Sequence, residues 1–134
     1  MIVSFLAIIV LGALALFAGY GASRLRRTSL NTTYFKNRWR EIQGLLKSAE
    51  GMQLSIIEAD KLLDDALKEL RFNGKTMGER LVSAQRQLSN PNNVWTAHKL
   101  RNRLVHKTGL KVTKRQVQSS LQAFRAALKD LGAL

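Results

Sequence analysis

The chain has 134 residues, with 22 Lys and Arg against 9 Asp and Glu, a formal charge of +13, and no cysteine. That length holds one modest domain and excludes a large multi-domain enzyme. The missing cysteines rule out disulfides, thiolate metal sites and cysteine nucleophiles, and the excess of cations favours nucleic acid or an anionic surface as partner.

The first stretch, MIVSFLAIIVLGALALFAGYGA, carries no charged side chain before Arg24. Ile2 to Tyr20 would make a helix of about 29 Å, the thickness of a hydrocarbon core. The reading is a single-pass anchor over residues 1–23 rather than a cleaved signal, because no basic segment precedes the apolar run. Arg24, Arg26 and Arg27 then hold the C-terminal side in the cytoplasm at the membrane surface, with residues 24–32 as a basic juxtamembrane linker. Ala15, Gly19 and Ser23 recur at the spacing that lets helices approach closely in lipid.

From residue 33 the spacing is helical, without strand-like alternation. Tyr34 to Ala49 puts Phe35, Trp39, Ile42, Leu45, Leu46 and Ala49 near one face, and Asn31-Thr32-Thr33, which fits a glycosylation sequon, reads as a helix start. Gly51 separates this helix from the next. Met52 to Phe72 is the most regular segment, its stripe of Ile56, Ala59, Leu63, Ala66, Leu67 and Leu70 marking a central helix. Asn73-Gly74 ends it, a shorter helix follows over Gly78 to Leu88, and Ser89 to Asn93 reads as a loop around the only proline. Helical spacing resumes from Val94 to about Val105. Thr113 with Gln116 forms a capping box for a last helix whose buried side is Val117, Leu121, Phe124, Leu128 and Leu131. The expected architecture is all-α: an N-terminal transmembrane helix followed by a compact four- to five-helix bundle over residues 33–134.

Three candidate chemistries fail on their own terms. Gly74-Lys75-Thr76 imitates the end of a P-loop, but Glu69 stands where the motif needs glycine. Glu58, Asp60, Asp64, Asp65 and Glu69 concentrate acids in one helix, yet Lys61 and Lys68 sit at pairing distance, so an ion-paired or solvated face is the simpler reading. His98 and His106 would lie about 12 Å apart along a continuous helix and cannot chelate one metal. No metal or cofactor is expected.

The stretch Arg101-Asn102-Arg103-Leu104-Val105-His106 remains. Residues 91–134 hold nine basic residues and a single acid, Asp130. A histidine can move the proton of an RNA 2′-hydroxyl or leaving group, and an arginine can hold the phosphate as its charge builds. Convergence of Arg101, Asn102 and His106 asks the helix to fray before Thr108-Gly109. The plain alternative is a solvated basic surface with His106 at a helix C-terminus.

The arrangement Arg101-Asn102-x-x-x-His106 resembles the R-[polar]-x(3-5)-H signature of HEPN domains, small all-α bundles many of which are metal-independent endoribonucleases. The resemblance covers roughly residues 33–134, with its specificity in that one motif. It implies His106 as acid/base group, Arg101 as phosphate ligand and Asn102 as orienting residue, in a homodimer whose two copies of the motif form one site. Lys107 stands where an acidic residue often follows the histidine in such sequences. Lys99, Arg103, Lys107 and Lys111 are the accompanying candidates for RNA contact. The expectation is a cell-membrane protein with a cytoplasmic HEPN-like domain that binds and cleaves RNA. The alternative is a non-catalytic helical scaffold that binds a protein partner or anionic lipid.

Overall fold

A computed structural model describes Ile9 and residues 29–134. Among the described residues there are five α-helices and no strand: α1 (Thr32–Gly44), α2 (Ala49–Glu69), α3 (Met77–Ala84), α4 (Pro91–His106) and α5 (Lys114–Asp130). The anchor expected over residues 1–23, the linker arginines Arg24, Arg26 and Arg27 and the Ala15, Gly19, Ser23 spacing lie outside the described residues.

The expected architecture needs correction. Among the described residues no helix is long and apolar enough to cross a membrane. Even α2, the longest at 21 residues, carries Glu50, Glu58, Asp60, Lys61, Asp64, Asp65, Lys68 and Glu69. The fold class is therefore all-α, a bundle without a spanning helix among its described elements, and the single-pass cell-membrane localisation is corrected with it, since no described helix supports such a span.

α2 is the central helix, packing against α1, α3, α4 and α5. Its stripe behaves as the spacing predicts: Ile56, Ala59, Leu63, Ala66 and Leu67 are all fully buried. Phe35 and Ile42 from α1 and Phe124 and Leu128 from α5 complete the deepest part of the core. The predicted buried side of α5 also holds, and Thr113 and Gln116 form the reciprocal capping box. Asn31 caps α1 by accepting from the Tyr34 N–H at 3.1 Å.

Two of the boundaries that differ from the periodicity have local reasons. α1 stops at Gly44, and Leu45–Lys47 tighten into a 3₁₀ turn, because Ser48 adopts extended backbone and caps α2. α4 begins at Pro91, three residues before the expected start. A proline at the first helical position gives up no hydrogen bond there, and Asn90 caps the turn by accepting from the Asn93 N–H at 3.3 Å.

Gly51 is no separator. It lies in the first turn of α2, buried, donating its N–H to Ser48 Oγ at 3.0 Å. A Cβ at this position would stand 1.9 Å from the Leu45 carbonyl oxygen. Gly51→Ala is therefore expected to destabilise the chain by about 1–3 kcal/mol from overpacking, despite an intrinsic helix gain of about 1 kcal/mol. Urea unfolding of the two proteins checks this, and an unchanged or raised midpoint would contradict the close approach.

Candidate functional site

The sequence motif sits on α4, and what holds it in place comes from α2. Asp60 lies inside the apolar stripe of α2, where only 2 % of its surface is exposed. A carboxylate in such a place must be paired. Its Oδ1 lies 2.8 Å from Nδ1 of His98, itself buried in α4. Its Oδ2 stands 3.4 Å from Nε of Arg101. That second contact is an ion pair without an aligned hydrogen bond, since the buried Arg101 Nε finds no hydrogen-bond acceptor.

The chain of contacts continues outward. Arg101 Nη1 donates to Asn102 Oδ1 at 3.0 Å, and Asn102 Nδ2 lies 3.3 Å from His98 Nε2. Four side chains from two helices thus form one linked set, ordered from the buried Asp60 through His98 and Asn102 to the half-buried Arg101. Burial pushes the Asp60 carboxyl above the usual carboxylate range; the hydrogen bond and charge of His98 and the charge of Arg101 oppose that rise without cancelling it.

The structure brings Arg101 and Asn102 together and leaves His106 apart. α4 does not fray before its end: the Lys107 N–H donates to the Arg103 carbonyl at 2.9 Å, and His106 is the last helical residue. On a regular helix, positions five apart point about 140° from each other, so Arg101 and His106 occupy different faces. His106 is exposed and makes no side-chain hydrogen bond to the described residues. It does share a stripe with His98 and Asn102, each four positions on and about 6 Å along the axis.

Lys99, Arg103, Lys107 and Lys111 are all exposed, as an RNA-contacting role requires. Lys99 Nζ also lies 5.9 Å above the ring of Trp95. No acid interrupts this surface between Pro91 and Lys129.

The acids of α2 divide between two tasks. Asp60 belongs to the set just described. Asp64 faces α3, where Arg80 grips it with Nε to Oδ1 at 2.7 Å and Nη2 to Oδ2 at 3.0 Å, and Lys68 adds a contact at 3.1 Å, the pairing its spacing predicts. Burial works against the Asp64 charge, but the hydrogen bonds from Arg80 and Lys68 outweigh it and hold the carboxyl below its usual range. Among the described residues, no three His, Asp or Glu side chains are grouped to hold a metal ion.

Sequence reasoning missed Asp60 and His98 as members of the site. The signal was present: an acid within an apolar stripe, and a histidine four residues before Asn102. What was missing was the link between them, which spans 38 positions. No family model matches the chain, and no curated protein or solved structure matches it either.

Proposed function

We propose that this chain is a HEPN-like, RNA-binding protein that cleaves RNA without a metal ion, as a homodimer. The observation that carries the reading is the anchoring of Arg101 and Asn102 by a buried Asp60–His98 pair, one turn away from an exposed His106 on an acid-free basic surface. Buried acids are expensive and are kept where they pair, and this one supports the two polar residues of the motif.

In the reaction, a His106 imidazole takes the proton of an RNA 2′-hydroxyl as that oxygen attacks the adjacent phosphorus. The 5′-oxygen leaves, taking a proton from His106 of the second copy. A 2′,3′-cyclic phosphate and a 5′-hydroxyl result. Arg101 holds the non-bridging oxygens as negative charge builds on them, which is where an arginine fork helps most. Lys99, Arg103, Lys107 and Lys111 contact flanking phosphates, so binding weakens as salt rises. Two copies are needed because one chain keeps Arg101 and His106 on different helix faces.

The test is incubation of the full chain with RNA in the presence of a chelator, beside His106→Ala and Arg101→Ala. Each substitution is expected to lower the cleavage rate by about 10²–10⁴-fold, the range for a proton-transfer group or a charge-stabilising donor. Cleavage that survives both substitutions removes the assigned roles. Salt-sensitive RNA binding with no cleavage by the unsubstituted chain removes the catalytic part and leaves a nucleic-acid tether.

A further inference from the structure

We infer that Asp60 and His98 are positioning residues that act through a directional hydrogen-bond relay, fixing which way the Asn102 amide points and thereby where Arg101 is aimed. The direction follows from donor and acceptor capacity alone. Arginine can only donate, so the atom of Asn102 that meets Arg101 Nη1 must be the carbonyl Oδ1. That leaves Nδ2, a donor, facing His98 Nε2, which must then offer its lone pair. The ring proton sits on Nδ1 and is donated to Asp60 Oδ1 at 2.8 Å. Each assignment forces the next.

The relay has one sense only. Turning the Asn102 amide over would set its NH₂ against the Arg101 guanidinium, donor against donor, and would need a proton on Nε2. Arg101 prevents this by donating at one end, and at the other Asp60, by accepting from Nδ1, holds the neutral ring in the tautomer whose Nε2 is bare. The ion-pair contact between Asp60 Oδ2 and Arg101 Nε closes the set into a loop, so the guanidinium is tied both to the acid and to the amide that the acid orients. Three of the four groups lie on α4, but Asp60, which accepts the ring proton and pairs with the guanidinium, is delivered by α2. The register between these two helices therefore decides the posture of the arginine.

The part of this inference that concerns catalysis rests on the RNA-cleavage reading; the tautomer does not. The first experiment is nitrogen–proton correlation NMR on the histidine side chains of the full chain. His98 is expected to show a protonated Nδ1 and an unprotonated Nε2. A proton on Nε2, alone or beside one on Nδ1, would overturn the relay whatever the protein does to RNA. In Asn102→Asp the donor becomes a carboxylate, and Nε2 is expected to gain a proton; an unchanged His98 pattern would show that the two residues are not linked.

The second experiment compares His98→Asn with His98→Gln. The asparagine amide can take the place of Nδ1–H against Asp60 while giving Asn102 no acceptor. The glutamine oxygen can replace Nε2 as that acceptor. His98→Asn is expected to keep a melting temperature near that of the parent yet lose about 100-fold in kcat on RNA, with KM changed little, because a misplaced arginine still leaves the surface lysines to bind. His98→Gln is expected to recover part of that kcat. Undiminished kcat in His98→Asn would overturn the positioning role. A parent protein that cleaves no RNA defeats the catalytic reading, and the tautomer experiment then judges the relay by itself.

Discussion

Asp60→Ala is expected to lower the stability of the bundle by about 3–5 kcal/mol, the range for removing one partner of a buried charged pair. Asp60 is 2 % exposed, and its removal leaves the buried His98 Nδ1–H without an acceptor and Arg101 without its counter-charge. Asp60→Asn keeps an acceptor for Nδ1–H and loses only the charge, so a loss of about 1–2 kcal/mol is expected. Urea unfolding of the three proteins measures both, and equal losses would mean that the hydrogen bond to His98 contributes nothing.

The pH dependence of this group has an unusual sign for an acid. Its folded-state pKa is raised, first by burial. The folded chain therefore binds a proton there more readily than the unfolded chain does. Its contribution to stability falls as pH rises from the ordinary carboxylate range through the raised value, and is level above that. An ionised Asp60 is thus unfavourable for folding, while its absence is worse, because the partners are already buried.

The second large effect is expected at Arg80. This side chain is 8 % exposed, grips both oxygens of Asp64, and donates Nη1 to the Gly74 carbonyl at 2.8 Å, so it ties α3 and the turn before it to α2. Arg80→Leu is expected to destabilise by about 3 kcal/mol near neutral pH. Here the sign is the ordinary one for a paired carboxylate. Asp64 is held below its usual range, so its contribution is present above the unfolded pKa and disappears as pH falls through the folded one. The stability gap between parent and Arg80→Leu should therefore hold level from neutral pH down to the ordinary carboxylate range and shrink as pH falls below it. A gap of constant size would locate the effect in lost packing rather than in the ion pair.

Asp60 and Asp64 show how far charge spacing can be read from a chain. As a group of five acids in one helix they suggested a solvated or ion-paired face, and Lys68 does pair with Asp64 as its spacing predicts. The spacing could not show that the two carboxylates one turn apart turn to different neighbours, Asp64 to α3 and Asp60 to α4, with opposite shifts in their proton affinity. Which neighbour each meets depends on how the helices cross, and that is set by the whole core.

The local features were legible. The stripe from Ile56 to Leu67 named the central helix, the box of Thr113 and Gln116 started the last one, and Asn31 capped the first. Pro91 read as part of a loop, and the structure makes it the first helical residue, a position the ring fits. Arg101, Asn102 and His106 stood out as residues whose types suit phosphate chemistry. All of these follow from propensities and periodicities that operate within a few residues.

What only the tertiary structure decided is non-local. The Leu45 carbonyl approaches Gly51 closely because a 3₁₀ turn folds back over the start of α2. Arg101 and Asn102 are oriented because Asp60 arrives from a helix that begins 42 positions before the one they occupy. His106 stays at the surface because α4 keeps its regular hydrogen bonds to the last turn. The sequence determined the helices and the residues that face inward. The packing of α2 against α4 determined that a buried acid and a histidine stand behind the motif, since burial and pairing are properties of the assembled core.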